Sequence, residues 1–270
     1  MNLLRCVFLA AVTAITALTV SPAFAQKNGG GTSTPADGVI AIDQTKAMNG
    51  NITPGDGAGF PITISQPGAY KLAGNLTVGS ASTHAIEITA DGVTLDLSGF
   101  AIQGAVTCTA TYTVPSSISC QPWSQSAGVM SNRSGTTVRN GTIRGFAMGV
   151  YAGDHGTVEG VHVSHVSEYG ISGQDALMRS NQVFLSGGSG LAGSGVIRDN
   201  VTSMTRAYGI LGTRETLIVG NRVRYTDSFG INANASGAAG TAHNVVAYTK
   251  YNPINGGISL GGNACNGAPC

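Results

Sequence analysis

Short runs of alternating apolar and polar residues recur along the chain. Examples are residues 93–97 (VTLDL), 158–163 (VEGVHV) and 218–223 (IVGNRV). Alternation over a few residues is typical of a strand that buries one of its faces, whereas an amphipathic helix repeats its apolar residues every three or four positions. Gly or Asn also interrupts the chain several times in every twenty residues. The pattern predicts an all-β protein built from short strands.

A Gly followed by an aliphatic residue marks a regular period. The glycines of this dipeptide are separated by 21, 21, 20, 19 and 21 residues, and they are Gly128, Gly149, Gly170, Gly190, Gly209 and Gly230. A fixed period near twenty residues indicates a solenoid. The dense Leu pattern of a leucine-rich repeat is absent. The period therefore predicts a parallel β-helix of about eight coils, in which equivalent residues of successive coils line up in columns ~4.8 Å apart.

Two further columns follow from the same period. Asparagines recur at Asn181, Asn200, Asn221 and Asn244, and stacked amides of this kind are expected to hydrogen-bond to one another as a ladder. Aromatic residues precede three of the six repeated glycines, at Tyr169, Tyr208 and Phe229; Met148 comes before them in the same column, and Ser189 interrupts it. This second column is interpreted as side-chain stacking at a corner, with a carbohydrate-binding platform as the alternative.

The two ends of a solenoid need protection because their edge strands are unpaired. Residues 60–72 (FPITISQPGAYKL) are predicted to form a strand, a turn and a strand that cover the first coil. Residues 257–270 are predicted to cap the other end.

Composition narrows the class of protein. Hydrophobic residues make up 42% of the 270 residues, so a sizeable core can form, and the net charge is +1 with no basic run. Binding to nucleic acid through phosphate neutralisation is therefore not expected. Nothing in the composition indicates an oligomeric state.

The first residues are predicted to be an export signal. Arg5 precedes an apolar stretch of 14 residues, 7–20, and Ala23-Phe24-Ala25 fits the small-x-small cleavage rule. We expect residues 1–25 to be a signal peptide, 26–37 a flexible linker and 38–270 the β-helix domain. Cleavage would leave no membrane-spanning segment and a secreted or periplasmic protein, and an uncleaved anchor is the alternative.

Four cysteines remain after the predicted cleavage, which is an even number in an oxidising compartment. The simplest of the three possible connectivities pairs Cys108 with Cys120 and Cys265 with Cys270. A zinc site is the competing interpretation, but the chain has no Cys-x-x-Cys pair. No metal or other cofactor is predicted.

The repeat resembles that of secreted right-handed parallel β-helix proteins, the pectate-lyase-like superfamily. The residues that carry this resemblance are Pro67-Gly68-Ala69-Tyr70-Lys71-Leu72 and 93–100 (VTLDLSGF), and the resemblance spans roughly residues 38–270. It implies the fold but does not select a function, since that superfamily includes lyases, hydrolases, epimerases, adhesins and carbohydrate-binding modules. The catalytic elements that distinguish its polygalacturonases and pectate lyases are absent from this sequence.

One polar stretch could carry catalysis. Asp154 and Asp175 each follow a repeated glycine by five residues, so we expect them on adjacent coils at ~5 Å, a separation that suits a retaining glycosidase. His155 would assist them. The alternative is that both aspartates are ordinary turn residues. His162 and His165 are three residues apart and point to opposite faces of a strand, which disfavours a metal pair.

A second group of residues could bind a glycan. Arg139, Glu159, Arg179 and Arg198 share the column two places before the asparagines. Their guanidinium groups could hold the carboxylates of an acidic polysaccharide, or the column could be no more than surface ion pairs. The sequence therefore predicts an exported protein that binds a polysaccharide on an exposed sheet face. A glycoside hydrolase or polysaccharide lyase is one alternative, and an adhesin or structural scaffold module is another.

Overall fold

The computed structural model describes residues 38–111, 114–234 and 239–270, so the predicted signal peptide and linker lie outside the described residues. With 56% of residues in strands and 3% in helix, the fold is all-β. The one helix among these described residues is α1 (Gln44–Asn49). The strands are β1 (Val39–Ile42), β2 (Ile62–Ile64), β3 (Gly68–Leu72), β4 (Leu76–Thr77), β5 (Ile86–Ile88), β6 (Val93–Asp96), β7 (Ala101–Gln103), β8 (Thr107–Thr111), β9 (Val114–Gln121), β10 (Ala127–Ser131), β11 (Thr137–Arg144), β12 (Met148–Asp154), β13 (Thr157–Val166), β14 (Tyr169–Arg179), β15 (Gln182–Ser186), β16 (Leu191–Arg198), β17 (Val201–Thr205), β18 (Ile210–Val219), β19 (Arg222–Thr226), β20 (Ile231–Asn232), β21 (Gly240–Ala242), β22 (Val245–Thr249), β23 (Ile254–Asn255), β24 (Ile258–Ser259), β25 (Ala264–Cys265) and β26 (Ala268–Pro269).

These strands wind into a parallel β-solenoid of about nine turns. The first face consists of β2, β5, β10, β12, β14, β16, β18, β20 and β23. The second face runs through β1, β3, β6, β11, β13, β14, β16, β18, β21 and β24. The third face runs through β4, β7, β11, β13, β15, β17, β19, β22 and β25. The predicted parallel β-helix is confirmed, with one turn more than the eight expected.

The core consists of stacked inward rows. A row two positions after the asparagine column is in register along the third face, and each member is at most 2% exposed: Ile143, Val163, Val183, Thr202 and Val223. Burial of such apolar surface contributes ~25 cal/mol per Å². Repetition of a row from coil to coil therefore holds the turns together.

The asparagine ladder lies at the corner between the second and third faces. In each step, the backbone N–H and the side-chain Nδ2 of one asparagine donate to Oδ1 of the next, at 2.9–3.1 Å, from Asn181 to Asn200, Asn221, Asn244 and finally Asn263. The residue before each ladder member has a positive φ, which turns the chain at this corner. Asn263, in the segment predicted to cap the C-terminal end, is a fifth member of the ladder.

The two ends of the solenoid differ in detail from the caps predicted from the sequence. Residues 62–72 form strands β2 and β3 of a coil rather than a cover, because both strands pair in parallel with the next coil. The cap lies upstream: β1 pairs with β3, and α1 follows it with Ala47 buried in the main core. At the other end, β24 and β25 add a partial coil, and β26 folds back antiparallel on β25.

Both predicted disulfides are present, Cys108–Cys120 and Cys265–Cys270. The first joins β8 to β9, an antiparallel hairpin inserted between coils, and the second closes the C-terminal hairpin. No helix among the described residues is long and apolar enough to cross a membrane.

Candidate functional site

The predicted charged column exists and is longer than expected. In register along the second face lie Lys71, Asp96, Arg139, Glu159, Arg179 and Arg198. Three ion pairs hold it: Arg139 Nε to Asp96 Oδ2 at 3.0 Å, Arg179 Nη2 to Glu159 Oε2 at 2.6 Å, and Arg198 Nη1 to the neighbouring Asp199 Oδ2 at 3.0 Å. Exposed pairs of this kind contribute ~0–1 kcal/mol each. All three arginines therefore already have a carboxylate partner, which reduces their capacity to bind a second one.

The three predicted catalytic residues lie on the corner between the first and second faces. Asp154 is exposed, and a shift in register pairs it with Gln174, so that Asp175 is one position out of line with it. The shift arises because Asp154 follows Tyr151 by three residues, whereas Gln174 follows Ser172 by two. The backbone N–H of His155 donates to the carbonyl oxygen of Gln174 at 2.8 Å.

Asp175 has a local partner of its own. Its Oδ1 accepts a hydrogen bond from Ser194 Oγ at 3.0 Å, and its backbone N–H donates to the same Oγ at 2.8 Å. Its φ of 47° is in the left-handed region, which Asp adopts more readily than most residues. These contacts join one coil to the next, as expected of a turn aspartate.

The last coils carry a group of aromatic side chains, here called the aromatic cluster: Tyr208, Tyr225, Phe229, Tyr248 and Tyr251. Tyr225 and Tyr248 stack with ring centroids 4.9 Å apart and planes 8° apart. Tyr208 and Phe229 stack at 6.2 Å and 6°. The predicted aromatic column is therefore stacked in its C-terminal half, and the Tyr225–Tyr248 stack is an addition that the glycine-based period did not indicate.

The aromatic cluster borders a groove of about 640 Å³, lined by Phe229, Lys250, Tyr251, Asn252, Pro253 and Asn266. Tyr251 is tilted by 49° to Phe229, so the two rings do not cover each other as parallel rings do. Asn266 links the groove to the Tyr225–Tyr248 stack, because its Oδ1 accepts a hydrogen bond from the backbone N–H of Tyr248 at 3.2 Å. The groove thus combines aromatic rings with amide hydrogen-bonding groups.

Charged groups lie within the aromatic cluster. Lys250 Nζ is 3.2 Å from Asp227 Oδ1 and 5.6 Å from the ring centroid of Tyr251. The guanidinium carbon of Arg224 is 5.9 Å from the ring centroid of Tyr225. Both distances are within the range of a cation–π contact.

No group of three or more His, Cys, Asp or Glu side chains is close enough to hold a metal ion in the part of the chain that the structure describes. His162 is exposed, whereas His165 is half-buried at the end of the third face, so the two point to different surroundings.

Comparison with known proteins adds little to this geometry. No family model matches the chain, and no curated protein matches it. Among solved structures, it is similar to the alginate lyase from Paenibacillus sp. str. FPU-7, with a TM-score of 0.45 and 12% sequence identity over 86% of this chain and 96% of the other.

Proposed function

We propose that the protein binds a polysaccharide, and that the groove beside the aromatic cluster is the binding site. The observation that carries the proposal is the exposure of Tyr248 and Tyr251, at 66% and 54%, beside a groove that also presents amide and ammonium groups. Large rings that stay this exposed favour a contact surface, since burying an aromatic face is a main source of binding energy.

The chemistry of the groove suits a sugar. The C–H faces of a pyranose ring pack on aromatic rings, and its hydroxyl groups exchange hydrogen bonds with planar side chains. Asn252, Asn266 and the Asp227–Lys250 pair supply donors and acceptors beside Phe229 and Tyr251. Successive coils place such groups ~4.8 Å apart, which suits a chain of sugar units better than a single one.

The charged column on the second face is a less favourable site for the same ligand. Each of its three arginines is already paired with a carboxylate. A bound acidic glycan would have to replace Asp96, Glu159 and Asp199 as partners. Binding at Arg139, Glu159, Arg179 and Arg198 therefore stays a prediction, secondary to the aromatic groove.

The enzymatic alternative also stays a prediction. It would place Asp154, Asp175 and His155 at a glycosidic bond, and none of them lines a described cleft. A reducing-sugar and unsaturated-uronate assay on any glycan that binds tests it directly. Full activity of Asp154→Asn in that assay would remove Asp154 from the mechanism. The scaffold alternative predicts no glycan binding at all.

Export is part of the proposal. Two disulfides are formed, and disulfides form and persist in extracellular or periplasmic compartments. Detection of a mature chain that begins at Gln26 in the culture medium or periplasm would support it.

A glycan array followed by calorimetry on the best ligand tests the binding site. Tyr251→Ala should weaken binding at least about tenfold, which corresponds to ~1.4 kcal/mol. Tyr169→Ala is the matched control, because Tyr169 is in the same column as Tyr208 and Phe229 and is 36% exposed, but Ser189 separates it from Tyr208. A blank array, or unchanged affinity in a Tyr248→Ala/Tyr251→Ala double variant, would contradict the proposal.

A further inference from the structure

The inserted hairpin β8–β9 covers part of the outer surface of the third face. Its side chains Val106, Cys108 and Ile118 form a small apolar cluster with Leu185 and Met204, separate from the main core. Leu185 and Met204 lie on successive third-face strands, are 5% and 2% exposed, and have positive φ. The hairpin is thus packed on the β-helix, and the Cys108–Cys120 disulfide holds its two strands together.

A cleft of about 250 Å³ lies beside this hairpin, lined by Gln103, Gly104, Val106, Thr107, Cys108, Arg144, Gly145 and His165. A second space of about 240 Å³ shares Cys108 and His165 with it and continues along Thr109, Ala110 and Leu185. The imidazole of His165 is therefore at the junction of the two spaces. Neither space is lined by a carboxylate.

Glycines keep the cleft open where two coils meet. A Cβ atom on Gly104 would lie 2.2 Å from the carbonyl oxygen of Gly145 and 2.8 Å from the ring of Phe146. A Cβ atom on Gly145, whose φ is 80°, would lie 2.7 Å from the carbonyl oxygen of Gly104. Any side chain at either position would push the two coils apart or fill the space, so this wall of the cleft depends on both glycines.

The polar groups of the cleft are basic and incompletely paired. Arg144 Nη2 donates to Gln103 Oε1 at 3.1 Å, and within the described residues no carboxylate lies within 4.0 Å of its guanidinium group. His165 Nδ1 is buried and has no hydrogen-bond partner in the described part of the chain. A buried polar atom without a partner costs free energy unless a ligand or water satisfies it.

We propose that this cleft binds a small carboxylate, such as a single sugar acid, between the guanidinium group of Arg144 and the imidazole of His165. Arginine is the side chain best suited to grip a planar carboxylate, and the imidazole of His165, which lines both spaces, can donate to the same ligand. The volume suits one sugar ring and lies below the range of sites for larger ligands. This site is independent of the aromatic groove.

The proposal predicts a dependence on pH. Burial, and secondarily the charge of Arg144, lower the pKa of His165 below its usual value in the free protein. From the hairpin side the cleft is lined by Val106, Thr107 and the disulfide, none of which titrates, and from β15 by Leu185. A bound carboxylate would raise the pKa of His165, so affinity should increase as the pH falls through the pKa that His165 has in the complex.

Titration with D-glucuronate and with D-glucose tests the site, because the two sugars differ in the carboxylate. D-Glucuronate should bind and shift the NMR signals of the His165 ring, whereas D-glucose should not. Arg144→Gln should weaken glucuronate binding at least about tenfold, since it removes a charged hydrogen bond. Arg222→Gln, a change at an exposed arginine on the same face, is the control and should bind normally.

His165→Gln should abolish the pH dependence while the protein stays folded. Equal responses to the two sugars, unchanged binding in Arg144→Gln, or a pH dependence that survives in His165→Gln would each overturn the proposal. Tyr251→Ala should still bind glucuronate, so failure of this site and failure of the polysaccharide groove would be distinguishable.

Discussion

At the residue scale, the repeated glycines are explained by a close approach between faces of the coil. A Cβ atom on Gly149 would lie 2.4 Å from Val163 Cγ1 and 2.5 Å from the carbonyl oxygen of Gly170. Equivalent contacts recur at each of the six glycines, always with the inward side chain of the third face and with the backbone of the next coil. The period of about twenty residues thus records a steric requirement, repeated once per turn.

Gly170→Ala should lower the free energy of unfolding by about 1–3 kcal/mol, because overpacking forces backbone or side chains to shift. The new Cβ atom would meet Gly190 O at 2.4 Å and Val183 Cγ1 at 2.5 Å. Urea denaturation measures the change. Gly79→Ala is the control, since nothing lies within 4 Å of a Cβ atom there. Equal stability of the two variants would contradict this account.

The left-handed backbone conformation at one corner of the coils could not be predicted from the sequence. The corner that follows the third face has positive φ at His165, Leu185, Met204, Tyr225 and Tyr248. Leu, Met and Tyr rarely adopt that conformation, so nothing in the identity of these four residues indicates a turn. The register between coils imposes the conformation, and it directs this column of side chains toward the hairpin and the aromatic cluster.

At the scale of the element, the hairpin β8–β9 is an insertion that the repeat does not accommodate. It interrupts the chain between β7 and β10, and its own strands pair only with each other, in antiparallel fashion. The disulfide holds the two strands of the hairpin together, and the attachment of the hairpin to the β-helix depends on the few apolar contacts with Leu185 and Met204.

The double variant Cys108→Ser/Cys120→Ser should loosen this element more than the solenoid below it. This disulfide links residues 12 apart in sequence and stabilises the protein mainly by constraining the unfolded chain. Its loss should therefore lower the free energy of unfolding of this element by about 2–4 kcal/mol. Hydrogen exchange should increase in residues 107–111 and 117–121 and around Leu185. Cys265→Ser/Cys270→Ser, with a separation of 5 residues, is the control and should change exchange only in the tail. Unchanged exchange in the hairpin would refute the prediction.

At the scale of the whole molecule, the asparagine ladder joins the coils over the C-terminal half of the solenoid. Asn221, which is 1% exposed, illustrates how each member of the ladder is hydrogen-bonded. Its Oδ1 accepts from Asn200 N and Nδ2 at 3.0 Å, and its Nδ2 donates to Asn244 Oδ1 at 3.0 Å and to Ile197 O at 2.9 Å. One side chain thus satisfies buried groups of the coils on both sides.

Asn221→Ala should lower the free energy of unfolding by about 2–5 kcal/mol, because it leaves several buried groups without partners at ~1–3 kcal/mol each. Denaturant unfolding measures the loss. Gln182→Ala, an exposed amide on the third face, is the control and should change stability little. A loss no larger than that of the control would show that the ladder contributes little to stability.

The sequence by itself determined the features that repeat. The period predicted the fold and the asparagine ladder, since each needs only that like residues stack on like once per coil. The even number of cysteines and the short distance along the chain within each pair suggested the two disulfides. Tertiary structure alone decided the irregular features: the one-residue shift that separates Asp154 from Asp175, the position of the hairpin, and the meeting of Arg144 with His165. These depend on register and on contacts between residues from different coils, which no period along the chain encodes.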